Sequence, residues 1–390
     1  MPVLFGVILL DLIGFGIVIP ILPFLSPTLG ADKMDIAYII VIYAICAGFC
    51  APYWGRLSDR LGRKPVIMIC LAGAAVSYVM LGLASQLWMV FAARAFAGMM
   101  AGNFGVASAM MADITTPKNR AKGLGMIGAA FGMGLVLGPL LGGLLSSGGT
   151  SFVLPCIVAG GMSVLAIGAA ALFLPESLSA DKRAANYAHQ KKGGHASTLA
   201  MLKSTGNRLL VFQYVLHNGS VSSITYLFPL WAGDLLDWSA PEVGIAFGVQ
   251  GALIAILQGG VLGVAVRVLG EVPLLRLGVT TCLVGVGIAI FSSTMPFMLA
   301  AAFIALSGAT VCMPLLNTIL TYRTPSGLRG RMMGLTGAAS SWGRVGGPLL
   351  AGLNLAVFGY SGAWIGCFCT VLLYCLWAWT LKERSIERLA

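Results

Sequence analysis

The stretch Gly55-Arg-Leu-Ser-Asp-Arg-Leu-Gly-Arg-Lys-Pro65 sets four cations, Arg56, Arg60, Arg63 and Lys64, and one anion, Asp59, between two segments apolar enough to cross a bilayer. Only 9% of the 390 residues are charged. A cluster this dense therefore decides sidedness, because short cationic loops are retained on the cytoplasmic face. Working outward from it, the chain reads as alternating apolar runs of about 20 residues and short polar connections, the pattern of a multi-span membrane protein.

Bulk composition agrees. The chain is 58% hydrophobic, with mean hydropathy +0.92 and 52 glycines. That is more apolar surface than one soluble core can hide. The net charge of +11 comes from loop residues, so orientation and anionic lipid head groups account for it without nucleic acid. Nine cysteines lie in or beside apolar segments, without a CxxC pair or a cysteine/histidine zinc spacing, and read as small buried hydrophobes. No metal site is expected, and His189 and His195 sit in a polar connection as solvated side chains.

Twelve spans are predicted, at 3–25, 36–55, 65–84, 87–112, 121–145, 151–175, 208–232, 241–266, 272–292, 296–321, 330–353 and 360–381. With the cytoplasmic connections and helix ends taken as 55–65, 113–122, 176–208, 267–276, 321–331 and the C-terminal tail, they hold 21 of the 24 basic residues, the exceptions being Lys33, Arg94 and Arg344. Both termini are then cytoplasmic. The longest polar interruption divides the chain into a bundle at 1–175, a linker at 176–207 and a second bundle at 208–390.

The two halves look like copies. Arg120–Leu144 aligns with Arg329–Leu353 at one constant offset, so that Gly138-Pro139 faces Gly347-Pro348. Gly263–Pro273 is a worn counterpart of the basic stretch, with Leu269-Gly270 and Pro273 echoing Leu61-Gly62 and Pro65. Same-direction repetition of six-helix halves is an architecture of transporters. The fold class expected is all-α: twelve transmembrane helices in two pseudo-symmetric six-helix bundles.

These residues resemble the major facilitator superfamily, and within it the twelve-helix drug:proton antiporters of the tetracycline-efflux-like group. Gly55–Lys64 is similar to the family's loop motif G-x-L-x-D-R-x-G-R-K, with Gly55, Asp59, Arg60, Gly62, Arg63 and Lys64 in its positions. Gly134, Gly138-Pro139 and Gly142-Gly143 are similar to the fifth-helix antiporter motif. Leu10–Pro23 resembles the first helix of tetracycline exporters, and Arg94 with Gly98 fits the fourth-helix motif. The resemblance implies proton-coupled efflux of a small amphipathic compound by alternating access, in a bacterial inner membrane. The alternatives are export of an endogenous metabolite or siderophore, or proton-coupled import. Later acids of the tetracycline exporters are missing: the third span offers Ser77-Tyr78, and the ninth has no acid beyond Glu271.

Within the spans, Asp11 is the leading candidate for proton coupling, since an ionised, unpaired carboxylate there costs several kcal/mol. Arg94 is a candidate partner for it, and His217 a second titrating group. Gln213, His217 and Ser220 recur at helical spacing and predict one polar face. Substrate-lining candidates are Gln213, Tyr214, Asn218, Gln250, Gln258, Asn317, Trp342 and Arg344. Asp59 is expected to dock at the start of the eleventh span near Gly330, with Arg60 bridging to Asp113. The glycine-rich fifth and eleventh helices are expected to pack between the halves. No nucleophile–base pair or phosphate loop suggests an enzyme. No cofactor beyond the proton gradient is expected, and the partners are a small-molecule substrate, protons and membrane lipids, with the protein a monomer.

Overall fold

In the computed structural model, residues 1–116, 120–146, 152–178, 207–324 and 329–381 are described. Most of the expected linker, with His189 and His195, lies outside them. The described residues are helical, with no strand among them. We label the helices α1 (Pro2–Thr28), α2 (Lys33–Leu61), α3 (Arg63–Gly82), α4 (Leu87–Met99), α5 (Asn103–Asp113), α6 (Arg120–Leu145) and α7 (Val153–Phe173). There follow α8 (Arg208–Leu236), α9 (Ala240–Ile256), a π-turn (Leu257–Val261), α10 (Leu262–Leu269), α11 (Glu271–Phe291), α12 (Met295–Arg323) and α13 (Arg329–Thr380).

Ten helical stretches among the described residues are long and apolar enough to cross a membrane. One of them, Met332–Thr380, covers two expected spans and breaks at Gly359, where φ is +68°. The 29-residue α8 corresponds to the seventh expected span but is more polar than the ten. Length and hydropathy alone thus support ten spans, and the helices accommodate twelve.

The basic stretch departs from expectation in form. It is not an eleven-residue loop, because α2 runs on to Leu61 and α3 starts at Arg63. Charged residues solvate a helix end that projects beyond the apolar zone, so only Gly62 has to turn. Its φ of +109° is open to glycine and costly for other residues. The echo noted in the sequence recurs in the backbone, since Gly270 (φ +80°) separates α10 from α11 in the same way.

Two compact units emerge. The first holds α1, α2 from Ile42 onward, α3 to α7, and Ser239–Ala252 of the α9 region. Its core joins Leu4, Ile8 and Leu12 of α1 to Val66 and Leu71 of α3, Val106 and Met110 of α5, and Ala166 of α7. The glycines of α6 bring it close to two neighbours. A Cβ at Gly138 would stand 2.5 Å from the Cα of Gly16 on α1, and one at Gly244 of α9 would stand 2.6 Å from the carbonyl oxygen of Pro139. Helices without side chains at the crossing approach until backbones touch.

The second unit holds Lys33–Val41, α8, and the chain from Leu253 onward. There α8 and α13 are in intimate contact, with Gly219 set against Gly343 and Gly347. Gly352 faces Met34 and Ala37 of α2. Each glycine-rich helix therefore meets a helix from the other sequence half: α6 meets α9 in the first unit, and α13 meets the start of α2 in the second.

Candidate transport site

The fourth expected span is broken. Helix α4 stops at Met99 and α5 begins at Asn103. Gly102 packs directly on the indole of Trp54, whose Nε1 donates to the carbonyl of Met99 at 2.6 Å. That bond satisfies a carbonyl freed by the break, a condition for irregular backbone at membrane depth. The break places Asn103, buried, at the first turn of α5, where its Nδ2 donates to Asp11 Oδ2 at 3.0 Å. Tyr78 of α3 packs by Gly14, one turn along α1. Asn103 was not among the expected residues. Its signal in the sequence was an amide following Ala101-Gly102 inside an apolar span.

Arg94 is buried on α4, with its guanidinium 4.3 Å from the centre of the Tyr43 ring. This is a cation–π contact in a desolvated place, where such contacts are strongest. The expected partnership with Asp11 takes a different form: no ion pair joins them among the described residues, and each has a neutral neighbour instead.

At the α2–α3 corner, Arg63 is the hub. It pairs with Asp59 at 2.9 Å and with Asp113 at 3.0 Å, and its Nη1 donates to Ser58 Oγ at 2.6 Å. The bridge to Asp113 assigned to Arg60 from the sequence is thus made by Arg63, whose side chain turns inward while Arg60 is exposed. Glu176, read as the first linker residue, caps α3. Its carboxylate accepts from the backbone N–H of Arg63 at 3.0 Å and of Lys64 at 3.2 Å. An anion at a helix N-terminus satisfies orphan donors and complements the dipole. The Lys64 side chain donates to the Ala171 carbonyl at 2.8 Å, which ties the corner to α7. Gly55 has open space beside it, whereas Gly62 faces the Glu176 carboxylate. Gly134, Gly138, Pro139, Gly142 and Gly143 are all buried along α6.

In the second unit, Gln213, His217 and Ser220 are buried together, so the expected polar face of α8 turns into protein. His217 meets the edge of Tyr374 at 5.8 Å between centroids. Tyr214 donates to Asn317 Oδ1 at 2.8 Å, and Asn218 Nδ2 donates to Ser340 Oγ at 3.1 Å. These bonds link α8 with α12 and α13. Beside them, Asn317, Thr318, Thr321 and Tyr322 line a depression of about 260 Å³. Gln258 stands exposed on the π-turn and donates to the Thr310 carbonyl at 3.4 Å. Gln250 is buried within the first unit. Trp342 and Arg344 are exposed on α13.

Residues 4–279 and 210–389 each match the family model described as the Major Facilitator Superfamily. The tetracycline resistance protein, class C, of Escherichia coli is 30% identical over 356 residues, covering 89% of this chain and 87% of that protein. The class G protein of Vibrio anguillarum is 30% identical over 371 residues, covering 92% and 90%. The crystal structure of the human organic anion transporter MFSD10 shares the fold, with a TM-score of 0.74 at 23% identity over 97% of this chain and 98% of that one.

Proposed function

From the premise that this chain belongs to the Major Facilitator Superfamily, which makes it a multi-pass membrane transporter and not an enzyme, we propose that it exports a small amphipathic organic compound in exchange for protons. The observation that carries this reading is Asp11, a carboxyl group inside an apolar helix whose recorded polar partner is the neutral amide of Asn103. A carboxyl group held there without a cation is costly when ionised. It is suited to carry a proton for part of a cycle and release it in the rest.

Alternating access follows from halves 1–175 and 208–390 rocking about the solute. The Arg63 hub and the Asp59 carboxylate form the cytoplasmic latch, and the α6 and α13 glycines provide the close contacts that slide. The protein works as a monomer in a bacterial inner membrane with both termini in the cytoplasm. Relatives named for tetracycline resistance make tetracycline the first compound to assay. The lack of acids inside the third and ninth spans favours a second reading, the export of a self-made metabolite.

The test is flux in proteoliposomes under an imposed pH gradient, with tetracycline and a panel of amphipathic drugs. Asp11→Asn is expected to abolish gradient-driven uphill flux while leaving binding in place. Undiminished uphill flux in that variant would defeat the assignment and direct attention to His217.

A further inference from the structure

The middle of α13 carries a charge that has no ion-pair partner among the described residues. Arg344 lies 15 residues beyond Arg329 and 15 before the break at Gly359. At 1.5 Å per residue it is about 22 Å from either end of this segment. Arginines near helix ends reach the head groups, but one at mid-helix does not. Yet Arg344 is exposed, and its side chain makes one hydrogen bond among the described residues, Nη2 donating to Ser341 Oγ at 3.1 Å. The described acids of the second unit stand elsewhere: Asp35 in the first turn of α2, Asp234 paired with Lys33, Asp237 at the end of α8 and Glu271 at the start of α11. A guanidinium turned toward hydrocarbon at this depth is untenable, so the face that bears it is a wet one.

Packing equips that face further. Because Gly219 of α8 lies against Gly343 and Gly347, the two helices cross at backbone distance just beside Arg344. This brings Ser222 of α8 alongside, its Oγ donating to the Arg344 carbonyl at 3.4 Å. Ser341 donates its own hydroxyl to the Gly337 carbonyl at 3.2 Å. Two hydroxyls and a planar guanidinium thus gather on one patch from two helices. An Arg fork presents parallel donors that fit a carboxylate or phosphate, and each neighbouring hydroxyl, whose one proton goes to a helix carbonyl here, can rotate to give it to an anion that enters. In the sequence repeat the counterpart of Arg344 is Leu135, so the charge belongs to one half and is no requirement of the shared fold.

We infer that the transported compound is an organic anion, its acidic group received by Arg344 with Ser341 and Ser222. This names the substrate class within the transport reading and rests on it. The solute's charge supplies the counter-ion that the helix lacks, and Asp11, on the first unit, remains free to handle protons.

The test uses two dyes of similar size and opposite charge, carboxyfluorescein and rhodamine 6G, with the purified full chain. In equilibrium dialysis the parent should retain the anion in preference to the cation. Arg344→Gln should weaken retention of carboxyfluorescein by about tenfold or more, and Arg344→Lys should restore part of it, since the charge returns without the fork. Ser341→Ala and Ser222→Ala should each cost a smaller factor. Preference for rhodamine 6G, no retention of carboxyfluorescein, or equal retention by parent and Arg344→Gln would overturn the inference. Flux in proteoliposomes separates it from the reading beneath it. Arg344-dependent binding without gradient-driven flux would sink proton coupling and leave the anion site standing, whereas gradient-driven flux of the cation alone would sink the anion site.

Discussion

Asp11 and Asn103 show how much a single pair can hold. The amide donates to one carboxylate oxygen at 3.0 Å, and hydrogen bonds to charged groups contribute about 1.5–3 kcal/mol. Asn103→Leu, close in volume and unable to donate, is therefore expected to reduce gradient-driven flux by about tenfold or more, with folding intact by size-exclusion chromatography. Flux equal to the parent would show that Asp11 works without this partner. Asp11 was legible in the sequence because an acid in an apolar run is conspicuous. Asn103 was not, because an amide near glycines reads as tolerable helix until the break at Met100–Gly102 brings it against α1. The same holds for Glu176. By composition it opens a polar linker, and only the fold returns it to the start of α3.

At the scale of elements, glycine spacing separates contact from tolerance. A Cβ at Gly138 would collide with the α1 backbone at Gly16, whereas at Gly128 it would meet nothing within 4 Å. Gly138→Ala is expected to lower stability by about 1–3 kcal/mol, as overpacking does. Gly128→Ala should be neutral or stabilising by about 0.5–1 kcal/mol through helix propensity. Thermal unfolding in detergent distinguishes them, and equal melting temperatures would contradict the packing. The expected association of the glycine-rich helices with the opposite half is visible as Gly244 on Pro139 and as Gly352 on Met34. Gly244 meets α6 near its C-terminal end, and Gly352 lies 23 residues into α13.

At the scale of the molecule, an exposed cluster around Lys33 joins α2, α8 and α13. Lys33 pairs with Asp234, which also accepts from the Tyr360 hydroxyl at 2.8 Å, and the lysine lies 4.9 Å over the Tyr360 ring. Both ion-pair partners are over two-fifths exposed. Exposed pairs contribute at most about 1 kcal/mol, so Lys33→Ala should shift stability by less than that. A larger loss on thermal unfolding would mean that the cluster is shielded in the bilayer. The family and the all-helical, multi-span class also belong to this scale, and both were readable in the sequence. The family matches, 4–279 and 210–389, together span nearly the whole chain.

The amino-acid sequence by itself determined that this is a many-helix membrane transporter. Apolar run length, cation placement and glycine register act through solvent and local backbone preference, and all three are properties of consecutive residues. Tertiary structure alone decided which partners complete the sites. Asn103 meets Asp11 across 92 positions, Glu176 meets Arg63 across 113, and Ser222 meets Arg344 across 122. Contacts of that separation depend on how helices cross, and crossing is set by shape and close packing, which no local pattern encodes.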